Sequence, residues 1–157
     1  MPMLAALMML QTAACPVGAE PVPPALSAWG QGTPVSAAAD ANAPTIVVGK
    51  PAEVALHPAA HLKLPAPPAK AAAADSHGGL IAFTMPRAGK VRVALSAPAW
   101  IELVSGGKPV ASIGHGHGPR CLGLRKIVDF DLPAGRHLIQ LSGSPDTSVR
   151  LMVVPAA

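Results

Sequence analysis

The chain has no tyrosine, and aromatic residues make up only 3% of its 157 positions. They are Trp29, Phe83, Trp100 and Phe130. So few rings offer no stacking platform for bases, which argues against nucleic-acid binding despite a net charge of +4. Charged residues are sparse as well, at 13%. The basic ones are scattered from Lys50 to Arg150, apart from Arg120, Arg125 and Lys126. No apolar run approaches the ~20 residues that a membrane-spanning helix needs. No nucleophile-elbow pattern surrounds Ser76 or Ser112, and no Gly-x-x-x-x-Gly-Lys phosphate loop is present. Serine-hydrolase and nucleotide-hydrolysing chemistries of those kinds are therefore not expected.

Half of the residues are hydrophobic, yet many of these are alanine, so a core must be built from Val, Leu and Ile. Residues 3–10 form a short apolar run followed by small residues, which suits a signal peptide over 1–19 with cleavage after Ala19. Cleavage before Cys15 would instead resemble lipoprotein processing, with a lipid anchor on Cys15. These readings place the protein in the periplasm or outside the cell. A Cys15–Cys121 disulfide requires Cys15 to survive processing; if it does not, Cys121 is left as a lone thiol. Residues 20–43 hold proline and alanine with few large apolar side chains, so they read as a disordered tether.

The folded domain is expected over 44–157, interrupted by a Pro/Ala-rich surface loop at 62–76. Short apolar segments at 45–48 and 52–57 read as strands. From Leu80 onward the period is two. Strands are expected at 80–85, 90–96, 100–104, 108–113, 126–132, 136–142 and 148–154. Turn residues separate them, including Ser105-Gly106-Gly107, Pro133-Ala134-Gly135 and the segment 143–147. The pattern predicts an all-β fold, a small antiparallel sandwich of jelly-roll type with seven to eight strands.

The hairpin Ile127-Val128-Asp129-Phe130-Asp131-Leu132-Pro133-Ala134-Gly135-Arg136-His137-Leu138-Ile139-Gln140-Leu141-Ser142-Gly143 resembles that of bacterial pre-peptidase C-terminal domains. Residues 81–86 and 89–95 are similar to that family's opening strands, and 100–104 to its strand before a Gly turn. The resemblance covers about residues 78–154. It implies a β-sandwich accessory of a secreted protein, usually without catalysis. His137 stands where the family carries an aromatic, and the loop 115–121 is outside its pattern.

That loop, Gly114-His115-Gly116-His117-Gly118-Pro119-Arg120-Cys121, is the main candidate for chemistry. Two histidines two apart in an extended segment point the same way, and glycines let the backbone curl around an ion. Imidazole and thiolate suit zinc, copper or nickel. The expected metal ligands are His115, His117, Cys121 and His137, with His57, His61 and His77 as further donors. Arg120 and Arg125, beside Lys126, are candidates for contact with an anion or a partner. His115-Gly116-His117 and Pro133-Ala134-Gly135-Arg136-His137 also resemble the two cupin motifs. That resemblance implies an iron dioxygenase of the homogentisate 1,2-dioxygenase type, with Asp129 or Asp131 as the carboxylate. No Glu follows His117 at the cupin distance, where Cys121 and Leu122 stand. With so few aromatics the sandwich offers little wall for a substrate pocket, which favours binding over catalysis. The sequence thus points to an exported, non-catalytic binding or accessory module with a small ligand, a metal or an envelope protein as partner. The alternatives are a small cupin-like metalloenzyme and a structural envelope protein.

Overall fold

The segment Lys126–Leu132 shows what drives the architecture. Val128, Phe130 and Leu132 fall on one face, and Asp129 and Asp131 on the other. A strand sends successive side chains to opposite sides, so each such segment has a face to bury. The computed structural model describes residues 15–30 and 32–156. It buries those faces between two sheets. Eleven strands are present among the described residues: β1 (Thr33–Ser36), β2 (Ala52–Ala55), β3 (His57–Pro58), β4 (His77–Met85), β5 (Gly89–Leu95), β6 (Trp100–Ser105), β7 (Lys108–Val110), β8 (Gly114–Gly116), β9 (Lys126–Leu132), β10 (Gly135–Ser144) and β11 (Ser148–Pro155). One sheet has the order β1-β2-β11-β5-β9-β8 and the other β3-β4-β10-β6-β7. Every pair is antiparallel except β1 with β2.

This is the all-β sandwich that the alternation predicts. The strand count exceeds seven or eight because β1, β3 and β8 are edge pieces of two to four residues. So short a stretch carries no readable period. The core between the sheets is aliphatic, with Ile81, Val93, Leu95, Leu103, Ile139, Leu141, Leu151 and Val153 fully enclosed around Phe83 and Phe130. The Ser105-Gly106-Gly107 signal becomes a two-residue hairpin turn in which Gly106 and Gly107 both take positive φ, at 58° and 77°. That geometry matches the twist of the flanking strands and favours glycine at both places.

Several expectations are corrected. Residues 45–48 do not form a strand; Thr45 makes a single bridge to Ala82, and Ile46 donates its amide to the Ala82 carbonyl at 2.8 Å. The chain then turns away at Gly49-Lys50-Pro51, where Lys50 donates back to the Val47 carbonyl. The loop 62–76 lacks strands but is pinned. Buried Gln140 donates Nε2 to the Ala66 carbonyl at 2.8 Å and accepts the Ala66 amide at 3.2 Å, so Ala66 is buried too. His57, named above as a further metal donor, is half-buried and donates Nε2 to the Ala37 carbonyl at 2.6 Å.

The largest departure concerns the expected tether at 20–43. Leu26 and Trp29 are buried at 0% and 3% exposure against Ala94, Leu124, Ile127, Met152 and Val154, on the outer face of the six-stranded sheet. Trp29 donates Nε1 to the Leu122 carbonyl at 2.9 Å, and Arg150 lies over its ring. β1 then extends the sheet edge in register with β2. The segment is ordered by docking onto a sheet face that would otherwise be apolar and wet. Most of the expected signal peptide, residues 1–14, lies outside the described residues. Of the fates open to Cys15 (loss with the signal, a lipid, or a disulfide), the structure contains the disulfide to Cys121, with a Cα–Cα distance of 5.3 Å. Among the described residues no helix is long and apolar enough to cross a membrane.

Candidate functional site

The chain passes from one sheet to the other between β7 and β8. Both are edge strands, joined by residues 111–113. Ile113 donates its amide to the Asp129 carbonyl at 2.8 Å, which fastens the crossing to β9. β8 is Gly-His-Gly, so it brings no large aliphatic side chain to this end of the sandwich. His115 pairs opposite Val128 and shares its face. The end of the interlayer space is therefore left open as a cavity of about 470 Å³. Ile101 and Val110 form one wall, Val128 and Phe130 the other. At the mouth stand His115, His117, Arg120, Arg125 and Lys126, with Trp100 and Glu102 across from them.

The polar groups around the mouth are fixed mostly by backbone. His117 donates Nδ1–H to the Arg125 carbonyl at 3.0 Å, which leaves Nε2 as its remaining ring nitrogen. His115 Nε2 lies 3.3 Å from Ser112 Oγ. No carboxylate orients His115 among the described residues, so this pair lacks the third member of a nucleophilic triad. Lys126 donates Nζ to the Ala99 carbonyl at 2.8 Å and sits 5.0 Å from the Trp100 ring centroid. Trp100 in turn donates Nε1 to Glu102 Oε1 at 2.6 Å, and the same oxygen accepts the Ala69 amide at 2.8 Å. Burial of the Lys126 amine, then repulsion from Lys70, holds it below the usual lysine range.

The ion pairs lie elsewhere. Asp129 holds Arg92 at 2.8 Å, and that hydrogen bond raises the guanidinium's affinity for its proton. Glu53 holds Arg150 at 2.5 Å. Among the described residues no carboxylate is within ion-pair distance of Arg120, Arg125 or Lys126. The mouth is a concentration of positive charge over apolar walls, an arrangement that focuses the field on an incoming anion.

The loop behind the mouth is held firmly. A Cβ on Gly118 would come within 2.2 Å of the buried Leu124 side chain. The Gly118 amide donates to the Leu124 carbonyl at 3.1 Å. Arg120–Leu122 forms one 3-10 turn, ended by Gly123 at φ 70°. Gly118 and Gly123 pack and turn the chain behind the histidines, while Gly116, between His115 and His117, faces open space.

Of the expected site residues, His115, His117, Arg120 and Arg125 converge on the cavity. Cys121 and His137 do not join them. The Cys121 sulfur is committed to Cys15, so it is no thiolate ligand. His137 is 2% exposed in the interior, tilted against Phe83, and donates Nε2 to the Pro133 carbonyl at 2.8 Å. It lies four residues along β10 from Leu141, the partner of Ile101 in the cavity wall, hence about 13 Å away along the strand. The three-histidine set of the cupin comparison is therefore not assembled. Among the described residues no group of three or more His, Cys, Asp or Glu side chains is placed to hold a metal. Of the two suggested carboxylates, Asp129 is taken by Arg92, and Asp131 is exposed on the outer face of β9.

The sequence reading missed the cavity itself, together with Trp100 as part of its rim. Three of its four wall residues, Ile101, Val110 and Val128, are aliphatic, and they close the cavity with Phe130, so the shortage of aromatics was no guide. No protein-family model matches the chain, and no curated protein does.

Proposed function

We infer that the protein is an exported, non-catalytic binding module, and that the open end of its sandwich is the ligand seat. One observation carries this reading. An apolar-walled cavity of about 470 Å³ has five basic or imidazole side chains at its mouth and no assembled catalytic or metal set among the described residues. Cavities of this size and character accept small organic ligands. The Cys15–Cys121 bridge supports export, since such bonds persist in the periplasm or outside the cell. It also favours processing ahead of Cys15, without a lipid on that sulfur. The β-sandwich accessory role implied by the pre-peptidase C-terminal resemblance agrees with a module that binds and does not catalyse.

A second reading has its own support. His115 and His117 both stand at the cavity mouth, which suits capture of a transition metal such as copper or zinc by two neutral imidazoles, with the bound ligand or solvent completing the shell.

One experiment separates the two. The neutral dye phenylnaphthylamine should bind once per chain, with a rise in its fluorescence. Val110→Trp, which fills the cavity from one wall, should abolish that binding without lowering the thermal midpoint. Elemental analysis of the untagged protein beside a His115→Ala/His117→Ala variant supplies the other arm. Dye binding that persists in the plugged variant, or none in the parent, sinks the cavity reading. Near-stoichiometric metal in the parent and none in the double variant would put the metal reading in its place.

A further inference from the structure

We propose that the ligand of this cavity is an amphipathic organic anion, a carboxylate or sulfonate carried on an apolar body. The inference rests on the cavity being a binding seat and adds the chemistry of what it holds. The charge at the mouth is unbalanced. Arg120, Arg125 and Lys126 line it, and among the described residues none is paired with a carboxylate. Glu102, the carboxylate in the lining, already accepts hydrogen bonds from Trp100 and Ala69 on one oxygen. Guanidinium groups present planar forks that match the two oxygens of a carboxylate or sulfonate.

Lys126 sharpens the argument. Its ammonium is partly stripped of water, and its contacts are a backbone carbonyl and the face of an indole. An anion seated beside it restores the missing counter-charge in surroundings of low polarity, where such an attraction is strong. The interior sets the other half of the ligand. Ile101, Val110, Val128 and Phe130 offer neither donors nor acceptors. A free phosphate or a sugar seated there would surrender hydration without replacement, which is costly. An aliphatic or aryl body gains from the same walls. His117 adds an acceptor: its Nδ1–H is held by the Arg125 carbonyl, so Nε2 is left to accept a hydrogen bond from an O–H or N–H on the ligand body.

Two dyes with a common aryl-amine body test the class. Anilinonaphthalene sulfonate carries the anion, and phenylnaphthylamine lacks it. The sulfonate should bind the wild-type protein at one site, about tenfold or more tightly than the neutral dye, as expected for charge-assisted hydrogen bonds. Arg120→Gln/Arg125→Gln should erase that preference and leave the neutral dye unchanged. Both arginines are exposed, so an unaltered thermal midpoint confirms the variant's fold. Added salt should weaken the sulfonate alone. Equal affinity for the two dyes in the parent, or sulfonate binding undiminished in the double variant, overturns the anion class while the cavity reading stands. Binding of neither dye, or binding that survives Val110→Trp, overturns the seat and the anion together.

Discussion

Replacing Cys121 by serine should lower the stability of the oxidised protein by about 4–5 kcal/mol, because the Cys15–Cys121 bridge spans 106 positions and restricts an unfolded loop of that length. Its midpoint of thermal unfolding should fall by on the order of 10 °C. Reduction of the parent should produce the same loss, and Cys15→Ser should match both. Urea unfolding read by circular dichroism measures all three. The bridge does more than shorten a loop. It ties the chain ahead of β1 to the turn Arg120–Leu122, whose first residue stands at the cavity mouth. The variant should therefore also bind the anionic dye more weakly than the parent, since Arg120 would hang from a less restrained turn. Alkylation without reduction should label no thiol in the mature protein. A reactive Cys121 in that protein, with stability indifferent to reductant, would refute the bridge and restore the processing site after Ala19.

Much of the sandwich was legible because its longer strands each bury one face. Val128, Phe130 and Leu132 alternate with Asp129 and Asp131, and β9 runs over the very residues that this pattern spans. β10 and β11 are two residues and one residue longer than expected at their C-terminal ends, since the pairing continues past the apolar positions. What stayed hidden depends on contacts distant in sequence. Leu26 and Trp29 stand among prolines and alanines, and nothing local says that they are covered. A signal was present on the partner side: Ala94, Ile127, Met152 and Val154 occupy positions that alternation assigns to solvent, yet all are apolar. An outward face of that kind asks for a cover. The site divides in the same manner. The His115–His117 pair and the basic trio could be read as motifs. The cavity could not, because it arises where the packing of two sheets brings Ile101 and Val110 of one to Val128 and Phe130 of the other.

Trp29→Ala should cost about 3–5 kcal/mol, the range for emptying a buried tryptophan site, which would make it one of the most damaging single changes outside the interlayer core. Trp29 is 3% exposed, and its loss removes apolar contact with Ile127, Met152 and Leu124. The Leu122 carbonyl also loses its donor, and Arg150 loses the ring beneath it. Trp29→Phe should recover most of the packing and cost about 1–2 kcal/mol, since one polar group alone is left unpaired. Urea unfolding gives both values. Fluorescence adds an independent reading, because Trp29 and Trp100 are the chain's two tryptophans and Trp100 is 38% exposed. In a Trp100→Phe background the emission should be that of a buried indole, shifting to the red only at the global unfolding transition. A red-shifted native spectrum, together with a loss below about 0.5 kcal/mol of the kind surface substitutions give, would mean that residues 20–30 are the loose tether their composition suggests. The outer face of the six-stranded sheet would then stand uncovered, and Cys15 would have no ordered path to Cys121. The disulfide and the tryptophan are thus two fastenings of one segment: Cys121 and the Trp29 acceptor Leu122 lie side by side in the turn that carries Arg120, so releasing either fastening should loosen the mouth of the cavity as well as the N-terminal segment.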